Sequence, residues 1–308
     1  MQFRLALVVG FAVATLSACG CSRPAVKADG SSTVLPITEA VAEEYRNEDS
    51  TVNVIVGKSG TGGGFKMFSH GEIDICNASR PISDGEKEAC AANDIEYVAF
   101  EIAYDGLAVC VNPKNDWCDC LTVEQLKSIW QPDSAVKNWS DVDSAWPEEE
   151  IELYGPGVDS GTFDYFTEVI NGEARKSRDD YTQSEDDNVL VTGVAGDRAS
   201  LGYFGLAYYE ENQDKLKLLG IDAGDGTCVK PTAETVRGST YRPLSRPLFI
   251  YVRKTSLSRP EVKKFVEFYL RKVDTVVADT GYVAVPYETA KRDLEVFEET
   301  MKSVKPAA

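Results

Sequence analysis

Three stretches of the chain combine glycine with serine or threonine just before an expected helix. They are DGSSTVLP (29–36), GKSGTGGGFKMF (57–68) and GVDSGTFDYF (157–166). The first amide groups of a helix have no partner within it, and the helix dipole adds positive charge there. Hydroxyls supply further donors, and glycine lets a ligand approach the backbone closely. Helix capping alone explains any one loop. The three together predict a site for a small tetrahedral oxyanion.

Strands and helices alternate around these loops. The expected strands are 51–57, 73–79 and 151–155, and the expected helices that follow the loops are 33–49, 62–72 and 162–172. This alternation predicts an α/β fold with largely parallel sheets. Two long apolar strands, near 104–112 and 243–253, bracket the middle third of the chain. Such strands would let the chain cross into a second domain and return.

The amino-acid composition limits the classes of partner that we expect the protein to bind. The 308 residues suit one large or two ordinary domains, and 43% of them are apolar. The formal net charge of −18 makes nucleic acid and anionic lipid surfaces poor partners. An anionic ligand stays possible, because exposed charges beyond about 8 Å are mostly screened at physiological salt.

The N-terminus predicts export. A basic start, MQFR, precedes an apolar run, Leu5–Leu16, that is too short to span a membrane. The following Leu16-Ser17-Ala18-Cys19 resembles a bacterial lipobox, and the alternative is an ordinary signal peptide with a chance cysteine. We therefore expect a signal peptide at 1–18, a lipid anchor on Cys19, a tether at 19–28 and an extracytoplasmic protein, in the periplasm or at the cell surface.

The other cysteines are candidates for disulfide bonds in an exported protein. They are Cys21, Cys76, Cys90, Cys110, Cys118, Cys120 and Cys228. Cys76 with Cys90 is the preferred local pair, although sequence leaves the connectivity open. A metal site at Cys118-Asp119-Cys120 is disfavoured, because no second cluster stands nearby and the one histidine is His70. We expect no metal and no cofactor.

Five motifs, taken in chain order, resemble those of PstS-type periplasmic phosphate-binding proteins, the substrate receptors of phosphate ABC importers. They are GSSTV, SGTGGGF, ASRPIS (78–83), DSGTFDYF and SEDDNVLVTGVAGD (184–197), and the resemblance covers about residues 28–295. It implies a two-domain periplasmic-binding fold of type II, the Venus flytrap, with two crossover strands as the hinge. Domain I would comprise 29–107 and 249–308, and domain II would comprise 108–248.

The resemblance also implies the residues of the site. The first loop would donate from Ser32 and Thr33, the second from Ser59 or Thr61, and the third from Ser160, Gly161 and Thr162. Arg80 is a departure, because the best-known enterobacterial relatives have an aspartate there and an arginine where this chain has Pro156. The planar, charged fork of Arg80 suits phosphate oxygens, and the alternative for Arg80 is a structural ion pair.

A phosphate receptor must also distinguish phosphate from sulfate. Phosphate carries a proton near neutral pH, so a buried carboxylate can accept its hydrogen bond while it repels sulfate. A site built on such a bond can reject an analogue that lacks it by about 10⁴–10⁵. Asp159 is nominated for this role, with Asp164 and Asp186 in reserve, and the alternative is that Asp159 only favours its turn.

The expected function is therefore extracytoplasmic binding of inorganic phosphate by a monomer. The protein would deliver phosphate to the permease and ATPase of an ABC importer without bond chemistry. One alternative is a receptor for sulfate, molybdate or arsenate, and another is an anchored adhesion or sensing module. A serine- or metal-dependent phosphatase is disfavoured, because a nucleophilic Ser160 would need His70 as its base.

Overall fold

The structure is a computed structural model, and it describes residues 24–158 and 160–304. A π-helical turn, Thr167–Asn171, follows the helix Gly161–Phe166, and a 3-10 turn, Lys254–Ser258, precedes the helix Pro260–Asp279. The helices α1 to α11 are, in chain order, Leu35–Glu48, Gly60–Ser69, Asp84–Ala92, Val123–Trp130, Trp139–Val142, Gly161–Phe166, Asp187–Gly196, Leu206–Glu210, Ala233–Arg237, Pro260–Asp279 and Tyr287–Ser303.

The strands form one large curled sheet and one small sheet. The strands β1 to β13 are, in chain order, Ala25–Gly30, Asn53–Val56, Ile75–Ala78, Tyr97–Val111, Cys120–Thr122, Glu152–Pro156, Thr182–Ser184, Ser200–Gly205, Lys217–Leu218, Gly220–Asp222, Cys228–Val229, Ser245–Arg253 and Val283–Ala284. The large sheet has the order β2-β1-β3-β12-β4-β8-β6-β7, with β9 and β13 paired to β4, and the small sheet is β11-β10-β5.

The observed strand directions correct part of the prediction of largely parallel sheets. The outer strands are parallel as predicted: β1 runs parallel to β2 and β3, and β6 runs parallel to β7 and β8. The centre is antiparallel, because β12 pairs antiparallel with β3 and β4, and β4 pairs antiparallel with β8. A chain that crosses to a second lobe and returns must reverse its direction, so its two crossover strands run against each other.

Helix α1 shows how the sequence pattern becomes packing. Its buried face carries Ile37, Val41 and Tyr45, which recur every four residues and so share one side of the helix. The Tyr45 ring meets the Phe265 ring of α10 edge-on, with 5.3 Å between ring centroids. Helix α1 is thereby held against α10, and it begins a few residues after the carboxyl end of β1.

The apolar core divides along the crossover strands. One cluster, which includes Ile37 and Phe265, ends on β4 at Ala103 and contains Leu248 of β12. A second cluster begins on β4 at Tyr104 and includes Trp130, Phe166 and Tyr203. A smaller third cluster contains Phe65, Phe68 and Tyr251. The long strands β4 and β12 are the elements that join the separately packed halves.

The observed disulfide differs from the preferred pair. Cys120 of β5 is bonded to Cys228 of β11, which lie on either side of β10. A side chain at Gly220 of β10 would lie 3.1 Å from Cβ of Cys228, so glycine leaves room for the bond. The pairing of Cys76 with Cys90 was wrong: both are buried as free thiols in the third cluster, and burial raises their pKa values.

Several predictions concern residues outside the described ranges. These are the signal peptide at 1–18, the anchor Cys19, and Cys21. Strand β1 begins at Ala25, inside the stretch 19–28 expected as a tether, and pairs with β2 and β3. Within 24–158 and 160–304, no helix combines the length and apolar character needed to cross a membrane. The same ranges contain no group of three or more metal-ligating side chains.

Candidate functional site

A cavity of about 490 Å³ opens where the glycine-containing loops meet; we call it the cleft. Its wall includes Ser32 and Thr33 from the loop after β1, Thr61 from the start of α2, and Arg80 from the loop after β3. The opposite wall comes from α6 and the turn after it, and the floor comes from β12. Segments far apart in the sequence therefore present polar groups to one space.

The first loop is shaped by Gly30 and Ser31. Gly30 has a φ of +137°, and a side chain there would collide with the carbonyl oxygen of Asn77. The Ser31 amide donates to that oxygen at 2.9 Å, and Ser31 Oγ accepts from the Thr33 amide at 3.2 Å. Ser32 makes no hydrogen bond with the described residues, so its amide and hydroxyl remain available on the cleft wall.

The second loop presents Thr61 rather than Ser59 to the cleft. Ser59 is exposed, precedes α2, and donates its amide to Asp29 Oδ1 at 3.0 Å. Thr61 Oγ1 accepts from the Ser79 amide at 3.2 Å and lies 3.0 Å from Ser79 Oγ. A side chain at Gly64 would lie 2.6 Å from Cα of Gly30. Glycine therefore lets α2 pack directly on the first loop.

The third loop contacts the first. Ser160 caps α6 by accepting from the Thr162 amide at 3.1 Å, as the capping alternative expected. A side chain at Gly161 would lie 2.8 Å from Thr33 Oγ1 and 2.9 Å from the Thr33 amide nitrogen, so the two loops touch here. The cleft wall on this side consists of residues from the body of α6 and beyond. Asp159 lies outside the described residues.

Arg80 reaches the cleft but is already paired. Its Nη1 and Nη2 each donate to one oxygen of Glu86 at 2.8 Å, and its guanidinium lies 5.7 Å from the centroid of the Phe65 ring. Ser83 and Glu86 form the capping box of α3. Burial opposes ionisation of Glu86, but hydrogen bonds from Arg80 and Ser83 outweigh it and lower the pKa of Glu86. Arg80 is thus both a cleft residue and a member of an ion pair.

Two carboxylates stand in the cleft wall, Asp164 and Glu168. Burial raises the pKa of Asp164, although Arg175 counteracts this from 3.6 Å. Asp164 Oδ1 is buried and accepts no hydrogen bond from the described residues. Asp186, the other reserve acceptor, is exposed and caps α7 by accepting from the Asn188 amide at 3.0 Å.

Sequence reasoning missed Arg246, the second residue of β12, whose side chain is only 13% exposed in the cleft floor. Its Nη2 donates to Thr33 Oγ1 at 2.8 Å, and its Nε and Nη2 lie 3.3 and 3.2 Å from Asp105 Oδ2. Burial raises the pKa of Asp105, and the charge of Arg246 opposes this shift. One signal in the sequence could have identified Arg246: it is an arginine at the start of the apolar stretch 243–253, which was predicted as a crossover strand.

A family model for the PBP superfamily domain matches residues 17–273. The chain belongs to the PBP superfamily. Within this superfamily it is 48% identical over 278 residues to the protein SphX of Synechocystis, covering 89% of this chain and 82% of SphX. It is 40% identical over 271 residues to the phosphate-binding protein PstS of Staphylococcus aureus, covering 87% of this chain and 81% of PstS.

A solved structure of a possible phosphate-binding protein from Planctomyces limnophilus has the same fold. It is 48% identical to this chain, covers 90% of it and 98% of its own length, and superimposes with a TM-score of 0.87. The resemblance drawn from the loop motifs is therefore confirmed. The two-lobe α/β fold that it implied is confirmed as well.

Proposed function

We propose that this protein binds inorganic phosphate in the cleft and delivers it to the permease of an ABC importer. The observation that carries the proposal is the convergence of hydroxyl groups from two loops with two arginines on one cavity. The relationship to PstS supports phosphate as the ligand. The cavity of about 490 Å³ exceeds the space of a few water molecules, about 30 Å³ each. This volume is large enough for one phosphate ion.

The proposed donors are Ser32, Thr33 and Thr61 on one side, with Arg80 beside them. On the other side stand Ser160, Gly161 and Thr162 of the third loop, because Gly161 touches Thr33. The amides of Thr33 and Thr162 are held by Ser31 and Ser160 in the present arrangement. These amides contribute to binding only if the ligand replaces the capping hydroxyls. Ser59 is the weaker of the two second-loop candidates, since the cleft wall contains Thr61.

We propose that Asp164 accepts the hydrogen bond of the phosphate proton and so distinguishes phosphate from sulfate. Its Oδ1 is buried without a hydrogen bond and faces Arg175 Nη1 at 3.6 Å, and burial raises the pKa of Asp164. A carboxylate in such a position gains by accepting the proton of phosphate, whereas sulfate has none to offer. Asp186 is less suited because it is occupied as a helix cap. Asp159 stays a candidate on its sequence position alone.

The mechanism follows from the two lobes. Phosphate enters the open cleft and meets donors of one lobe, and hinge motion at β4 and β12 brings up the donors of the other. Exclusion of water then strengthens each charge-assisted hydrogen bond. Docking on the permease favours the open form and release. We propose domain I as 29–107 with 249–308 and domain II as 108–248. The apolar core divides a few residues earlier on each crossover strand, between Ala103 and Tyr104 on β4 and between Leu244 and Leu248 on β12.

No bond chemistry is part of the proposal. His70 follows the last residue of α2, exposed, with Nδ1 2.7 Å from the carbonyl oxygen of Lys66. Helix α2 has ten residues and is therefore about 15 Å long. His70 thus stands one helix length from Thr61, and a serine–histidine pair in the cleft has no support.

We place the protein outside the cytoplasm, anchored by lipid on Cys19. The disulfide between Cys120 and Cys228 supports an oxidising compartment, where such bonds persist. Metabolic labelling with a fatty-acid analogue tests the anchor. Wild-type protein should incorporate the label and Cys19→Ser should not, and equal labelling of both would exclude Cys19.

Calorimetric titration with phosphate, sulfate and arsenate tests the function. The fragment 20–308 should bind phosphate tightly, arsenate more weakly and sulfate poorly. Preference for sulfate or molybdate would support the alternative receptor. Absence of binding to all oxyanions would refute the proposal.

A further inference from the structure

The guanidinium of Arg246 is held on several sides by groups from both lobes. Thr33 of the first loop accepts from Nη2, and Asp105 of β4 faces Nε and Nη2. The centroid of the Tyr165 ring in α6 lies 3.6 Å from the guanidinium carbon of Arg246. That ring is itself anchored, because the Tyr165 hydroxyl donates to the carbonyl oxygen of Pro243 at 2.6 Å. These contacts fix the orientation of the Arg246 guanidinium.

One end of this guanidinium is unused. Of the five N–H donors of an arginine, those on Nε and Nη2 are directed at Asp105 and Thr33. The two on Nη1 form no hydrogen bond to any residue in the described ranges, and Nη1 is not among the fully buried atoms without partners. Arg246 lines the cleft, and its two Nη1 donors are the ones that have no partner among the described residues.

The contrast with Arg80 is informative. Both terminal nitrogens of Arg80 donate to Glu86, so its guanidinium is already paired with a carboxylate. Arg246 offers Asp105 the side of its guanidinium instead, and keeps Nη1 for another partner. Arg246 is also the more enclosed of the two, with 13% of its side chain exposed against 41% for Arg80. Charge-assisted hydrogen bonds gain strength where water is excluded.

Arg246 also acts on Thr33. Because Thr33 Oγ1 accepts a hydrogen bond from Arg246, its own hydroxyl proton must be directed elsewhere. Thr33 lies in the cleft wall, so that proton can be donated to an anion in the cleft. One contact therefore orders two donors, the hydroxyl of Thr33 and Nη1 of Arg246.

We infer that Arg246 binds the oxyanion through Nη1 and positions the Thr33 hydroxyl beside it, so that one residue on the crossover strand links the ligand to both lobes. This inference rests on the proposed function and deepens it. Arg246 contacts Thr33 on one lobe and Tyr165 on the other. An anion held by Arg246 therefore lies between the two lobes.

The test is calorimetric titration of inorganic phosphate into purified wild-type protein and variants. Arg246→Gln should weaken phosphate binding at least 100-fold, and Arg246→Lys, which keeps the charge without the fork, should weaken it about tenfold. Arg271→Gln is the control, because it removes the same charge from an exposed pair with Glu267 on α10. It should bind within twofold of wild type. If Arg246→Gln fails to fold, the lysine variant decides the question.

A double-mutant cycle separates direct contact from positioning. Thr33→Val keeps the shape but removes the hydroxyl, and it should weaken binding about tenfold. If Arg246 orders Thr33, the double variant loses distinctly less affinity than the product of the single losses. Fully multiplicative losses would overturn the positioning role, and wild-type affinity in both Arg246 variants would overturn the whole inference. Absence of phosphate binding by the wild type would instead overturn the proposed function, and this inference with it.

Discussion

The contact between the first and third loops makes Gly161→Ala the most informative substitution. The added Cβ would lie 2.8 Å from Thr33 Oγ1, 2.9 Å from the Thr33 amide nitrogen and 3.0 Å from its Cα. Thr33 cannot yield easily, because Arg246 holds its hydroxyl and Ser31 holds its amide. The clash is therefore with backbone as well as with side chain, and the loops must separate.

The magnitude follows from the cost of inserting a methyl group into a packed contact, about 1–3 kcal/mol. If the lobes close on the ligand, this cost falls on the closed, liganded form. At about 1.4 kcal/mol per tenfold change in affinity, phosphate should bind about 5- to 150-fold more weakly. The unliganded protein can relieve the clash by opening, so we expect its free energy of unfolding to change by less than about 1 kcal/mol.

Calorimetric titration and urea unfolding of the unliganded protein measure the two quantities. Gly85→Ala is the matched control, because Gly85 lies in the first turn of α3 and an added Cβ there meets nothing within 4 Å. It should leave affinity unchanged. Wild-type affinity in Gly161→Ala together with an unchanged unfolding free energy would refute the contact between the loops. Wild-type affinity with a lower unfolding free energy would instead show that the contact is present with and without ligand, so that the loops do not separate.

Three further substitutions test other parts of the site and the fold. Asp164→Asn should relax discrimination against sulfate, measured as the ratio of phosphate to sulfate affinities; an unchanged ratio would assign proton reading to another group. Arg80→Ala should weaken phosphate binding about tenfold, near the lower value for hydrogen bonds to charged groups, since Glu86 already shares its charge; unchanged affinity by titration would remove Arg80 from the site. Burial raises the pKa of Asp187 to about 6. The folded protein then binds more protons than the unfolded chain between about pH 4 and 6, so this group lowers stability as pH rises through that range. Asp187→Asn should remove up to about 3 kcal/mol of this loss at pH 7, and urea unfolding at pH 4.5 and 7.5 with the same pH dependence in both proteins would contradict the reasoning.

Local features of the fold could be read from the sequence because they depend on neighbouring residues. The capping box of Ser83 and Glu86 starts α3, as the spacing of three indicates. Apolar residues four apart predicted the buried face of α1. The same reasoning placed the donor loops at helix starts, although α2 begins at Gly60 rather than 62.

Contacts between residues far apart in the sequence could not be predicted from local sequence patterns. Cys120 bonds Cys228 over a separation of 108 residues, because β10 brings β5 and β11 to its two edges. The antiparallel centre of the sheet likewise follows from the return of the chain through β12, which no local pattern specifies.

By itself, the amino-acid sequence determined the kind of chemistry: hydroxyls and glycines at helix starts, suited to an oxyanion. Only the tertiary structure decided which groups line the cleft, such as Thr61 in place of Ser59 and the unforeseen Arg246. Arg246 meets Thr33 across 213 residues of sequence. Helix starts and caps arise from interactions within a few residues, whereas such a meeting depends on how both lobes and their crossover strands pack together.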